Sequence, residues 1–260
     1  MKNKKQKGIL RRRGYLLAEL VSNSIKKRYR RSLLGVLWSM LNPLLTMAVQ
    51  AFIFSSMFRH DIPNYLLYLI TGQILFNFYS EGSRTGMRSV IAHAPLIKKV
   101  KMPAYMFPVS AVAASCVNLV FALPALAIIM AATGARPTWA LPAFLLPLLL
   151  MLVFCTGVSL ILSSLAVFFR DVLHLYGVFL TMLHYATPIF YSDSNFSARK
   201  AAVLRLNPLV HFVKAFRAPL YRGTLPDGRT LLFCALFSFA ALAAGALIYR
   251  LTRKKFILYI

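Results

Sequence analysis

The chain has 260 residues, 59% of them hydrophobic, with 31 basic side chains against six acidic ones and a formal net charge of +25. In a soluble protein that charge would point to nucleic acid, but every basic cluster here adjoins a long charge-free run, so it belongs instead to the ends of membrane spans and to anionic headgroups. Cys116, Cys155 and Cys234 lie inside apolar runs without CxxC spacing, which argues against a disulfide framework or zinc site and for three small buried hydrophobes.

Residues 1–13, MKNKKQKGILRRR, carry seven basic groups and little to pack. From Tyr15 the pattern changes: Leu17, Val21, Ile25 and Tyr29 recur every fourth residue with Leu16 and Leu20 beside them, while Glu19, Asn23, Lys26 and Arg30 occupy the other face. This periodicity predicts an amphipathic helix over 15–31 lying in the interface plane, either a plain anchor or a helix that also docks a cytoplasmic partner. From Ser32 to Phe58 there are 27 residues without Asp, Glu, Lys or Arg, more than the ~20 needed to cross a bilayer core. Lys26, Lys27, Arg28, Arg30 and Arg31 just before this run place the amino terminus inside. The run outlasts the ~7–15-residue core of a secretory signal, so this first span is expected to be retained.

Five further charge-free runs follow, Ile62–Ser80, Met102–Ala135, Pro137–Phe169, Val172–Ser192 and Thr230–Tyr249. The chain therefore reads as an all-α polytopic membrane protein, one domain over 1–260, with six spans at about 34–58, 64–88, 104–132, 139–169, 173–192 and 229–250. An even number returns the carboxyl terminus, RLTRKKFILYI, to the cytoplasm. The segments assigned inside then hold 22 of the 31 basic residues, and seven of the other nine fall between 193 and 229. In that connector Leu209, Phe212, Val213, Phe216 and Leu220 recur at helical spacing beneath Lys214 and Arg217, which predicts a pair of short re-entrant helices in the outer leaflet, the second begun by Asn207 and Pro208. Pro188 is expected to break the end of the fifth span, and Pro43, Pro108, Pro124, Pro142 and Pro147 to kink the others.

The six carboxylates are scattered, and His60, His93, His174, His184 and His211 show no metal-ligand spacing, so neither catalysis nor metal binding is expected. No GxxxxGK[ST] loop exists, and the chain cannot hold a nucleotide in that manner. Glu81 is expected to pair with Arg84 or Arg88 on its own helix. Aromatic residues crowd the first two spans; most must pack, and Trp38, Phe52, Tyr68, Phe76 and, further on, Tyr191 are candidates for lining a conduit for sugar rings. The loop AHAPLIKKVKMP over 92–103 displays Leu96, Ile97 and Val100 where no lipid meets them, which suggests a protein groove as much as an ordinary positive loop.

Six blocks in order, RYRRSLLGVLWSMLNPLL (28–45), LITGQILFNFYSE (69–81), LIKKVKMPAYMFPVS (96–110), FFRDV (168–172), YATPIFY (185–191) and LNPLVHFVKAFR (206–217), resemble the membrane subunits of type-2 ATP-binding-cassette exporters of bacterial surface polysaccharides: O-antigen, capsule, rhamnan or teichoic acid. The terminal FILYI resembles members from Gram-positive bacteria. The resemblance implies a homodimer with two copies of a separate ATPase, which binds the ATP and magnesium, this chain holding no cofactor. It implies outward transport of a polymer linked to a polyprenyl pyrophosphate lipid across the cytoplasmic membrane, an interface helix at 15–31, and re-entrant helices at the outer exit. It also implies a coupling helix over 93–103, with His93, Pro95, Leu96, Ile97, Lys98, Lys99, Val100 and Lys101 meeting the ATPase. Lys27, Arg28, Arg30 and Arg31 sit at headgroup depth, where arginine forks suit a pyrophosphate; setting topology and gripping anionic lipid would explain the same run. A secondary transporter or an integral-membrane enzyme of envelope synthesis are the competing classes. The first would want a midplane ionisable residue and the second a carboxylate or histidine cluster.

Overall fold

The computed structural model describes the chain apart from residues 1, 31–33, 59–61, 100–101, 193–198, 200–202, 205, 254 and 260, and apart from the side chains of 2–13, 55–58 and 257–258. Within bilayer hydrocarbon, backbone groups must find partners inside their own segment, and these apolar runs form helices. In order they are α1 (Lys2–Tyr29), α2 (Leu37–Phe58), α3 (Tyr65–Ala92), α4 (Ala94–Lys99), α5 (Met106–Ala132), α6 (Leu145–Phe168), α7 (Val172–Ala186), α8 (Pro208–Arg217), α9 (Gly228–Thr252) and α10 (Phe256–Tyr259). A 3-10 turn at Leu141–Phe144 leads into α6, and a π turn at Ala218–Arg222 extends α8.

Four of these segments among the described residues are long and apolar enough to cross a membrane: Leu37–Phe54, Met106–Ala132, Leu141–Phe168 and Gly228–Thr252. The six runs of the sequence thus reduce to four on length and composition. Helix α3 has the length, 28 residues, but carries Glu81, Arg84 and Arg88 near its end. Helix α7 has 15 residues, about 22 Å of rise, short of the ~30 Å hydrocarbon core. It stops at Ala186 because Pro188 follows, and 187–191 run on without helix, as the proline predicts.

The core is centred on α3, most of whose residues are buried. It packs against α5 and α6, and α9 packs along the far side of α6. Small residues permit these crossings. A Cβ on Gly157 would run into the backbone of Ala241 and Leu242, and one on Gly245 into the carbonyl of Gly157, so α6 and α9 approach backbone to backbone. At the α3–α6 crossing, Ser159 Oγ donates to the carbonyl of Gly82 at 3.4 Å. Asn64 takes the left-handed conformation at φ 48°, caps α3 by accepting from the Leu67 N–H, and donates to Thr133 Oγ1 at the end of α5, 3.0 Å away.

Three prolines expected to interrupt spans instead begin them. Pro108 and Pro147 fall in the first turns of α5 and α6, and Pro142 in the 3-10 turn, where a missing N–H costs no helical bond. Pro43 and Pro124 lie inside helices that run through them. The amphipathic helix begins earlier than predicted, at Lys2, and ends at Tyr29, two residues short of the expected boundary. Its predicted faces hold: Leu17, Val21, Ile25 and Tyr29 are half-buried and Glu19, Asn23, Lys26 and Arg30 exposed.

In the long connector, Asn207 and Pro208 begin α8 as expected, the Asn207 side chain accepting from the Leu209 N–H at 3.0 Å. Leu209, Phe212, Val213, Phe216 and Leu220 are buried and Lys214 is exposed. Arg217, expected beside Lys214 on the polar side, is buried. The first helix of the expected pair falls largely outside the described residues.

Candidate functional site at the junction of α1, α2, α3 and α5

The basic boundary of the sequence brings four helices together around one carboxylate. Glu81, just past the middle of α3, accepts an ion-paired bond from Arg28 of α1. It also accepts from Asn118 Nδ2 of α5 at 2.7 Å and more weakly from Ser115 Oγ at 3.4 Å. Tyr29 donates to Asn118 Oδ1 at 3.0 Å and is hydrogen-bonded to Ser39 at the start of α2. The partner expected for Glu81, Arg84 or Arg88 on the same helix, is therefore wrong. Glu81 turns toward α1 and α5, whereas Arg84 lines a separate cavity beside Phe76 and His184, and both arginines are exposed. Arg28–Glu81 is the ion pair among the described residues, and it fastens the amphipathic helix to the bundle.

Two cavities flank this pair. One, of about 520 Å³, is lined by Trp38, Asn42, Asn77, Glu81, Asn118 and Arg28, among others. The other, of about 660 Å³, lies between α1 and the α3–α5 pair; its floor includes Leu20, Ile25, Leu96 and Phe107, and Lys27, Arg28 and Arg88 stand around it. An apolar trough with cations beside it suits an amphiphile carrying phosphate. Arg88 was singled out from the sequence only as a partner for Glu81 and not among the pyrophosphate candidates. Its spacing, seven residues after Glu81 on one helix face, was the available sign. Asn118 could not be found that way, because a lone amide in an apolar helix has no periodic signature, and Tyr29 was legible only as a member of the apolar face of α1.

Of the basic cluster, Lys27 and Arg28 line these cavities, Arg30 is exposed in the turn after α1, and Arg31 is outside the described residues. The aromatic candidates disperse. Trp38 is half-exposed and lines the smaller cavity, whereas Phe52, 86% exposed, projects outward from α2. Phe76 is buried, 4.5 Å edge-on from His184. Tyr68 is buried with its hydroxyl on the carbonyls of Pro188 and Tyr191, and Tyr191 donates to the Tyr185 carbonyl. Tyr68 and Tyr191 thus serve the broken end of α7.

The segment assigned to coupling forms α4, six residues with no buried side chain. His93 ends α3, its Nδ1 2.8 Å from the Ser89 carbonyl and its ring stacked on Phe107 at 4.7 Å. Pro95, Lys98 and Lys99 are exposed and Leu96 just exceeds a third exposure. Ile97 differs: it packs onto a small cluster of Val90, Leu160, Val167, Tyr249 and Phe256. Val100 and Lys101 lie outside the described residues. Among those residues, no three His, Cys, Asp or Glu side chains gather as a metal site.

At the opposite end of α3, the buried Arg217 donates to the carbonyls of Pro188 at 2.5 Å, Tyr68 at 2.9 Å and Ile189 at 3.1 Å. A Cβ on Gly72 would collide with the guanidinium. Beside it, burial raises the Tyr221 phenol, which stays protonated and donates to the Pro63 carbonyl.

A family model described as ABC-2 type transporter matches residues 15–221. The chain belongs to the ABC-2 type transporter family. It is similar to the O-antigen export system permease protein RfbA of Myxococcus xanthus, 33% identical over 243 residues, which cover 93% of this chain and 94% of that one. The protein of the same name from Klebsiella pneumoniae is 31% identical over 81% of this chain and 82% of its own. The polysialic acid transport protein KpsM of Escherichia coli is 23% identical over 91% of this chain and 92% of its own. The family's permeases are multi-pass membrane transport subunits, and ATP hydrolysis falls to a separate subunit.

Proposed function

We propose that this permease moves a lipid-linked surface polysaccharide outward across the cytoplasmic membrane, as a homodimer with two copies of a separate ATPase. The observation that carries this reading is similarity over nearly the whole length of both chains to a permease named for O-antigen export. The relatives are named for O-antigen export and polysialic acid transport. A polysaccharide is therefore proposed in place of the teichoic acid that the sequence also admitted.

In this reading six segments cross, the four apolar helices together with α3, shielded from lipid by its neighbours, and α7 with 187–191. Both termini and α4 then face the cytoplasm, where α4 meets the ATPase, and 193–228 lie at the outer exit. The lipid pyrophosphate is held at the inner headgroup level beside Lys27, Arg28 and Arg88, around the apolar cavity under α1. Depleting the permease in its own host tests this: surface polysaccharide should fall while lipid-linked polymer accumulates inside. Unchanged surface polymer would overturn it.

A further inference from the structure

The smaller cavity beside the Arg28–Glu81 pair has a chemistry distinct from its neighbour's. We propose that it is a sugar subsite, which holds one pyranose ring of the polymer next to its lipid phosphate. The inference rests on the reading of this chain as a polysaccharide permease and adds a site to it.

Charge argues first. Among the described residues the cavity's one cation is Arg28, which is paired with Glu81, so an anionic headgroup on this side would meet a carboxylate and gain less than it does beside Lys27 and Arg88. A neutral ligand rich in hydroxyls gains more. Among the described residues the bonds reaching the Glu81 carboxylate all arrive at Oε1, which leaves Oε2 to accept from a hydroxyl. The amides of Asn42 and Asn77 line the same space and, among the described residues, their side chains make no hydrogen bond to the protein. Each offers both a donor and an acceptor, the mixture a ring of hydroxyls requires. Trp38, half-exposed and on the cavity wall, supplies a flat apolar face for the C–H side of a ring.

The volume, about 520 Å³, falls within the ~300–1,000 Å³ of small-ligand sites. The two cavities share Arg28, Glu81, Ser115 and Asn118 as a common wall. A sugar–phosphate–lipid molecule thus fits with its ring on the Trp38 side, its phosphate beside Lys27 and Arg88, and its chain in the apolar trough.

Two probes separate the contributions: citronellyl pyrophosphate carrying one N-acetylglucosamine, and citronellyl pyrophosphate without a sugar. Their Kd values would be measured calorimetrically on the full permease–ATPase complex in nanodiscs without nucleotide. The sugar-bearing probe should bind more tightly to the parent. Trp38→Leu and Asn77→Leu should each weaken it about tenfold, the equivalent of one well-placed contact, and leave the sugar-free probe unchanged. Trp38 is half-exposed and, among the described residues, the Asn77 side chain bonds nothing, so both variants should fold, and either alone decides the matter. Equal loss for both probes, no loss for either, or equal affinity of the parent for both probes would each overturn the sugar subsite. Polymer export persisting in the host alongside such a result would leave the permease reading standing, so the two failures are distinguishable.

Discussion

Arg217 stands over Tyr68, its guanidinium carbon 3.5 Å from the ring centroid, while its nitrogens reach the carbonyls of Pro188 and Ile189. The break at Pro188 leaves backbone acceptors with no helical partner, and the arginine fork of α8 satisfies them from across the bundle. Lysine cannot reproduce the fork, and alanine leaves the Pro188 carbonyl to the Tyr68 hydroxyl alone and takes from the Ile189 carbonyl its donor, a loss of about 1–3 kcal/mol for a buried acceptor left unmatched. Thermal unfolding of the detergent-solubilised protein should therefore show Arg217→Ala strongly lowered, Arg217→Lys lowered less, and Lys214→Ala, at an exposed position three residues earlier, unchanged.

The α6–α9 crossing makes a second stability prediction. Gly157→Val inserts a branched side chain where the two backbones meet and should destabilise by about 3 kcal/mol or more, lost as monodisperse protein on size exclusion. Gly177 in α7 has nothing within 4 Å of its missing Cβ. Gly177→Ala should be neutral or stabilising by about 0.5–1 kcal/mol, through reduced freedom of the unfolded chain.

Much of this architecture was legible because lipid imposes a simple rule: an uncharged run of about 20 residues must be a helix. The runs before Phe58, after Met102, after Pro137 and after Thr230 obey it. Helix α3 blurs it because its boundary is set by protein packing, with Gly82 and Gly86 tight against α6 and Glu81 turned toward α1. Arg217 was misread for a related reason. Its helical position predicts a polar face, but the acceptors it serves lie some 30 and 150 residues away in sequence, at Pro188 and Tyr68, and periodicity carries no record of them. The basic cluster was legible as a cluster. Which of its members meets Glu81 depends on where α1 crosses α3, which no local pattern contains.

The Arg28–Glu81 pair lends itself to a double-mutant cycle. Both groups are partly exposed, so the pair is screened, and a coupling of about 1 kcal/mol in unfolding is expected between Arg28→Ala and Glu81→Gln. Arg28→Lys should keep the pair, the topology and ATPase binding. If arginine forks hold the pyrophosphate, Arg28→Lys or Arg88→Lys lowers polymer-stimulated hydrolysis while Arg30→Lys, outside the cavity lining, does not. Parental export in all three variants would assign the cluster to topology and lipid binding.

Helix α4 separates two neighbouring leucine-like positions. Leu96 is exposed and Ile97 is seated in the Val90–Phe256 cluster. Leu96→Asp should leave the unfolding temperature unchanged and reduce recovery of the ATPase with the permease, because it places a charge in a protein groove. Ile97→Asp should lower both. Unaltered recovery of the partner with Leu96→Asp would show that α4 is a positive turn and no docking element.

The separation of transport from hydrolysis is tested most directly by purifying the 260-residue chain from its native membrane, with and without whatever nucleotide-binding protein accompanies it, and measuring ATP hydrolysis in both preparations. The chain contains no phosphate-cradling GxxxxGK[ST] loop. The account predicts a co-purifying ATPase, hydrolysis by that complex, and none by the permease once the partner is removed. Hydrolysis retained by the clean permease alone would contradict it.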